Sequence, residues 1–300
     1  MTKPHLPVLL QEVIDGLSLD SGDIVVDATV GAGGHARALV EAVGKKGKLI
    51  GFDEDENALV LAEENLAKVG TPFVLVNKNF SYLRKELSKL EIKEVTACLF
   101  DLGISSMQLD KARRGFSFRF DEPLKMTLNA NPGKKNLTAS DLLNTLNEDN
   151  LEVIIRTYGE EKFAGRIARS IVASREENGL FEKTGQLVDA INKAVPAWYK
   201  HRRIHPATKT FQALRIAVND ELSSLKKGLN DAWLVVKPGG KIAVISFHSL
   251  ESKIVKDFFR EKVKEGTGEL INKKMTKPSR AEVLSNPRSR SAGLRIIKKI

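Results

Sequence analysis

Asp23-Ile-Val-Val-Asp-Ala-Thr-Val-Gly-Ala-Gly-Gly-His35 is the stretch on which the fold turns. Residues 23 to 30 read as an apolar strand, and the glycines that follow lead into a helix expected from Ala36 to Val43. A strand that runs straight into glycines and then a helix lets the backbone turn tightly, approach a ligand and offer it the amides of a helix start. Such turns also occur with no ligand, so a second feature is needed. It comes from the next strand, Lys48 to Phe52, which delivers Asp53 22 residues after Gly31, where a carboxylate can accept both hydroxyls of a ribose.

Outward from this stretch the pattern repeats. Glu56 to Val69 carries apolar residues at helical spacing (Leu59, Ala62, Leu66, Val69), Phe73 to Val76 and Val95 to Phe100 read as strands three and four, and Tyr82 to Leu90 is helical between them. Alternating strands and helices with short connections predict an α/β fold, a doubly wound and mostly parallel sheet with helices on both faces. After Asp101 the rhythm breaks. Residues 109 to 135 are aperiodic and rich in Arg, Phe, Asn, Pro and Gly, and 138 to 195 show only helical signals. Among these are a capping box at Thr138 and Asp141, helix stops at Gly159 and Gly179, and a Phe163, Ile167, Ile171 stripe. Strand and helix signals return with an amphipathic stretch from Thr208 to Val236, a turn at Pro238-Gly-Gly240 and a fifth strand from Lys241 to Phe247. A helix from Glu251 to Val263 and strands at Glu269 to Met275 and Leu294 to Lys298 close the chain. The expected organisation is an α/β domain in two parts, residues 1–109 and 205–300, around an inserted helical domain, residues 110–204.

Three hundred residues that are 42% apolar and 29% charged exclude a disordered tail protein, and no window has the unbroken apolar run of a membrane helix. The first ten residues show no secretory pattern, and the one cysteine, Cys98, sits in an apolar run where it reads as a small buried hydrophobe; a reducing cytoplasm is expected. The net charge of +10 is localised. Residues 241 to 300 hold 15 Lys and Arg against 6 Asp and Glu, and residues 190 to 219 hold six cations and no carboxylate. Clustering of this kind suits a polyanion partner, although a solvated face would look the same.

The cofactor class follows from what surrounds the glycines. A dinucleotide fingerprint would place a third glycine where Ala36 stands, and no Gly-Lys-Ser/Thr phosphate loop occurs. The loop Asp101-Leu-Gly-Ile-Ser-Ser106 and an apparent closing hairpin suit S-adenosylmethionine better than NAD.

With these motifs in place the chain closely resembles the ribosomal small-subunit RNA cytosine-N4 methyltransferase family. The resemblance rests on His5-Leu-Pro-Val-Leu-Leu10, Asp27-Ala-Thr-Val-Gly-Ala-Gly-Gly-His35, Asp101-Leu-Gly-Ile-Ser-Ser106, Gln108-Leu-Asp110, Arg114-Gly-Phe-Ser-Phe118 and Tyr158-Gly-Glu-Glu161. It extends through His205-Pro-Ala-Thr-Lys-Thr-Phe-Gln-Ala-Leu-Arg215, Ser246-Phe-His-Ser-Leu-Glu251 and Asn286-Pro-Arg-Ser-Arg-Ser291, nearly the whole length. The resemblance implies a seven-stranded Rossmann-like methyltransferase and a cofactor site lined by Gly33, Gly34, His35, Asp53, Phe80, Asp101 and Gln108. It implies ribosomal RNA as partner, within the assembled small subunit, and no membrane. Two departures stand out: Asp121-Glu-Pro-Leu-Lys-Met-Thr-Leu128 carries Lys125 and Thr127 where the family usually has Asp and Arg, and Ser252 replaces a common Asp.

Methylating an exocyclic amine needs an acceptor beside it, and the expectation falls on Asp101, assisted by Ser105 or Ser106. Arg114, Phe116 and Phe118 lie on an aperiodic loop suited to holding an extruded base, although the phenylalanines could simply be core. Arg202, Arg203, Lys209, Arg215, His248, Arg288 and Arg290 are counted with them as substrate-binding. His201 and His205 are four apart but lack neighbouring ligands, so no metal is expected and phosphate contact is preferred. The rival readings are a methyltransferase of a small molecule or protein, and a non-catalytic RNA-binding module with a vestigial cofactor fold.

Overall fold

The computed structural model describes residues 7–110, 113–133 and 136–300, without the side chains of Ser106 and Asp110. His5 and Leu6 of the first motif therefore lie outside the described residues. The chain divides into two compact units, one of residues up to Gly103 together with Leu222–Ile300, the other of Ile104–Glu221.

The first unit is built on one sheet. After helix α1 (Leu10–Leu17) come β1 (Ile24–Asp27), α2 (Gly34–Val43), β2 (Lys48–Asp53), α3 (Glu56–Leu66), β3 (Phe73–Asn77), a 3-10 turn at Phe80–Tyr82, α4 (Leu83–Lys89) and β4 (Val95–Asp101). The strand order is β3-β2-β1-β4, continued by three strands from the end of the chain, and these first four run parallel. Side chains alternate between two cores. Val26, Ile50, Cys98 and Phe100 face one core, with Leu83, Leu87 and Leu229; Val25, Leu49, Ala97 and Leu99 face the other, with Val13, Leu39 and Leu66. Burial on both faces is why these strands read as continuous apolar runs. Cys98 is fully buried, and burial pushes its thiol far above the ordinary range.

The second unit is helical: α5 (Ser106–Asp110), α6 (Ala139–Thr145), α7 (Glu148–Gly159), α8 (Ala164–Asn178), α9 (Thr184–Ala194), α10 (Ala197–Lys200) and α11 (Ala207–Asn219). Its core gathers Leu143, Leu151, Ile155, Ile167, Ile171, Leu187, Ile191, Phe211 and Leu214. The capping box at Thr138 is present, with Thr138 Oγ1 accepting from the Asp141 amide and the Asp141 carboxylate accepting from the Thr138 amide. The aperiodic segment before α6 is held by side chains instead of a ladder. Arg114 is buried and its guanidinium donates to the Thr127 and Leu128 carbonyls at 2.9 and 2.7 Å, while the Gly115 amide donates to Glu122. Helix α11 lies beyond residue 204, where the sequence reading ended its insertion. It belongs to this unit because Phe211 and Leu214 complete the helical core.

The amphipathic stretch expected from Thr208 to Val236 is two helices. Asp220 takes a left-handed conformation (φ 45°) that ends α11, and α12 (Glu221–Val235) starts afresh. Then follow β5 (Val236–Ser246), α13 (Ser249–Lys264), β6 (Gly268–Leu270), α14 (Arg280–Ser285) and β7 (Gly293–Lys299). Pro238-Gly-Gly240 is a bulge inside β5, since Val236 pairs with Val95 and Lys241 with Ala97 on either side of it. β5 runs parallel to β4, β7 is antiparallel to β5, and β6 is antiparallel to β7, giving the order 3-2-1-4-5-7-6. The strand expected over Glu269 to Met275 is only three residues long; beyond it Asn272 and Thr276 bond to Leu294 individually.

Candidate active site

Strand order reverses between β1 and β4, and the crevice beyond the carboxyl ends of two such strands is where doubly wound sheets bind ligands. Both strands end in a carboxylate there, Asp27 and Asp101. Asp27 is buried; one of its oxygens accepts from the Thr29 amide and the other, Oδ2, has no hydrogen-bond partner. Asp101 Oδ1 is likewise buried and unpartnered, and its amide donates to Thr29 Oγ1 at 2.7 Å. Between them His35 Nε2 lies 2.9 Å from the Val8 carbonyl and Nδ1 3.4 Å from Asp101 Oδ2. Both partners of the ring are acceptors, so the doubly protonated imidazolium satisfies both. Burial works against that charge, but the Asp101 carboxylate prevails and holds His35 above its ordinary range. Burial pushes Asp27 up to about 7, with His35 pulling the other way and Asp101 adding to the rise.

The glycine turn is shaped by backbone demands. Gly31 (φ 51°) and Gly33 (φ 87°) are left-handed, and a side chain on Gly33 would press on the Ala62 backbone at 3.3 Å. Asn65 donates to the Ala32 carbonyl and ties the turn to α3. Asp53 anchors the other side. Its Oδ2 accepts from the Gly31 amide at 2.9 Å and its Oδ1 from the Asp55 amide at 2.8 Å. Burial lifts Asp53 to about 6 against these two bonds. A carboxylate oxygen has a second acceptor direction, so Asp53 retains capacity for hydroxyl donors while it braces the turn.

The structure thus brings Gly33, Gly34, His35, Asp53 and Asp101 to one end of the sheet. It adds Asp27 and Thr29, which sequence reasoning quoted within a motif but gave no role; the available signal was an acid closing an apolar strand directly before glycines. Phe80 is half-buried on the same unit, edge-on to Phe100 with centroids 5.4 Å apart. Gln108 and Ser105 belong to the second unit and cap each other: Ser105 Oγ accepts from the Gln108 amide, and Gln108 Oε1 accepts from the Ser105 amide. The side chain of Ser106 is outside the described residues.

The expected substrate residues fall into two groups. Phe116 is buried in the helical core, Arg114 is committed to carbonyls, and Arg215 forms a bidentate pair with Glu221 at 2.8 and 2.9 Å, so these three brace the second unit. Phe118 is half-buried, stacked on His205 with centroids 4.4 Å apart and edge-on to Phe211; burial holds His205 below its ordinary range. Lys209 donates to the Glu160 carbonyl. His248 caps α13 and faces Glu251. Arg202, Arg203, Arg288 and Arg290 are exposed. Of the departures, Lys125 is exposed, Thr127 is buried and donates to the Asn129 carbonyl, and Ser252 contacts the Met275 sulfur.

A sheet of order 3-2-1-4-5-7-6 with one antiparallel strand set in near its edge, a glycine turn after β1 and an acid closing β2 define a Rossmann-like methyltransferase. The chain belongs to the MraW methylase family, whose sequence pattern it matches over residues 2–300. It is 48% identical to ribosomal RNA small subunit methyltransferase H of Geotalea uraniireducens over 99% of this chain and 98% of that one. The proteins of the same name from Geobacter sulfurreducens (46%, all of both chains) and Syntrophotalea carbinolica (45%, 99% and 98%) are alike to a similar degree.

Proposed function

We propose that this chain is an S-adenosylmethionine-dependent methyltransferase that modifies N4 of a cytosine in small-subunit ribosomal RNA. The observation that carries the reading is the pair of buried, unpartnered carboxylate oxygens on Asp27 and Asp101 where the strand order reverses, beside Asp53 and the glycine turn. A buried acceptor without a donor is costly, and a cationic ligand rich in N–H and O–H groups relieves that cost. The residues present therefore fit the cofactor: Asp53 takes the ribose hydroxyls, the turn at Gly33 and Gly34 accommodates the backbone approach, and Asp27 accepts from its amino group. When bound it supplies an electrophilic methyl on sulfonium.

Cytosine N4 is a poor nucleophile because its lone pair is delocalised into the ring. An acceptor for its hydrogens localises that pair and stabilises the charge that develops on transfer. Asp101 is assigned this role. The second unit and the cationic segments carry RNA recognition, the substrate is the assembled subunit, and the site of action is the cytoplasm. Among the described residues no helix is long and apolar enough to cross a membrane.

The test is single-turnover methylation of naked rRNA and of small subunits with labelled S-adenosylmethionine, followed by mass spectrometry of the digested RNA. A new methyl on cytosine N4 is expected, together with a large loss of rate in Asp101→Asn at saturating cofactor. Label on protein alone, or a methyl on carbon 5 or the ribose, rejects the reading. Restoration of the Asp101→Asn rate at high cofactor reassigns Asp101 to cofactor binding.

A further inference from the structure

One surface of the second unit is built unlike a solvated face. Trp198, on the short helix α10, is 55% exposed although its neighbour Tyr199 is buried. The tyrosine is the anchor. Its hydroxyl donates to Glu161 Oε2 at 2.6 Å, and the other Glu161 oxygen accepts from the Phe163 amide, so the buried carboxylate is satisfied and α10 is pinned at the start of α8. Phe163 and Tyr199 meet Trp198 edge-on, with centroids 6.0 and 5.6 Å away. These contacts hold the indole in one orientation while it stays open to solvent.

Cations lie over this cluster of rings. Lys162 Nζ lies 4.3 Å from the Trp198 ring centroid and 4.9 Å from that of Phe163. The Arg166 guanidinium lies over Phe163 and that of Arg202 over Tyr199, at 5.8 and 5.3 Å, and all three cations are exposed. The segment from residue 190 to 219 that carries Trp198 has six cations and no carboxylate. An exposed indole held by neighbouring rings, with exposed positive charges over that cluster, is the combination that holds single-stranded nucleic acid, through base stacking and phosphate pairing together.

We propose that Trp198 is a stacking platform for one unpaired base of the substrate RNA, with Lys162, Arg166 and Arg202 taking the adjacent phosphates. This site lies within the second unit and rests on the reading of RNA as substrate. It adds a contact that grips the strand through a base of any identity, since every base has a face to stack.

The chain has two tryptophans, and the other, Trp233, is buried in the sheet's core, so quenching of the exposed indole reports on Trp198. The full chain is titrated with a fluorescein-labelled single-stranded RNA of small-subunit sequence, following anisotropy for binding, and with unlabelled RNA, following indole emission. Inorganic polyphosphate serves as a polyanion without bases. Expected are quenching by RNA and not by polyphosphate, loss of that quenching in Trp198→Phe, and roughly tenfold weaker RNA binding in Trp198→Ala, less in Trp198→Phe. RNA binding with unchanged indole emission, equal quenching by polyphosphate, or full affinity in Trp198→Ala overturns the platform alone. Failure of the wild-type chain to bind either the RNA or small subunits overturns the platform together with the RNA reading.

Discussion

Asp27, His35 and Asp53 share one consequence of burial: each holds a proton in the folded chain at a pH where the unfolded chain has released it. Asp27 is raised to about 7 and Asp53 to about 6 from 3.8, and His35 stands above 6.5. A raised carboxylate contributes stability that is fully present below its unfolded value near 4 and is lost as pH rises to its folded value, about 7 for Asp27 and about 6 for Asp53. The raised histidine acts in the same direction at higher pH. The melting temperature is therefore expected to fall by a few degrees between about pH 5 and pH 8, with a flatter slope in Asp27→Asn; a flat wild-type profile would contradict the raised values of these three groups. Asp53 adds a binding effect. Its ionised form is the better acceptor for a sugar diol, so cofactor affinity should rise from about pH 5.5 to 7.5. Asp53→Ala should weaken it by roughly ten- to a hundredfold, about 1.5–3 kcal/mol, by calorimetry. Unchanged affinity removes Asp53 from the site. The place of Asp53 beside the glycine turn was legible because its distance from the glycines is a local spacing. The His35–Asp101 contact was not, because it joins residues on different elements that only the sheet brings together.

Elements were legible where one periodicity ran without competition. The alternation of Val25 and Val26, or of Ala97 to Phe100, between two cores is a property of strands buried on both faces, and it sets the strand runs. The break between α11 and α12 was hidden because the apolar spacing continues across Asp220, whose left-handed backbone carries no glycine to announce it. Arg114 read as substrate-binding because a loop without periodicity gives no sign that its carbonyls need a buried donor. Gly159 shows the difference between local and packed meaning. It read as a helix stop, yet it is the last residue of α7, and a Cβ there would lie 2.6 Å from the Lys209 carbonyl oxygen of α11. The clash is with backbone, so the two helices must separate. Gly159→Ala is expected to cost about 1–3 kcal/mol, seen as a lower denaturant midpoint; an unchanged midpoint would show that α7 and α11 can separate without loss.

At the scale of the whole molecule the excess charge is the feature that composition could locate but not explain. Fifteen cations against six acids after residue 240, and the acid-free stretch around Arg202 and Arg203, mark the segments proposed to neutralise phosphates. Some of these charges already have partners within the chain. Arg215 pairs with Glu221, Lys299 donates to the Trp233 and Val236 carbonyls, and Lys277 to the Ala292 carbonyl, so counting cations overstates the binding face. Arg202, Arg203, Arg288 and Arg290 are exposed. Counterion release makes such binding fall linearly in log affinity with log salt, with a slope of about −0.7 per phosphate contact on a single strand. The double variant Arg202→Glu with Arg203→Glu should therefore bind small-subunit RNA more weakly and with a shallower salt slope. Its affinity for S-adenosylmethionine should be unchanged, since no residue assigned to the cofactor is altered. Equal RNA affinity and an equal slope in the variant would show that these two arginines are solvated surface, whereas weakened binding with the slope unchanged would mean that the loss comes from the fold of the segment and not from phosphate pairing.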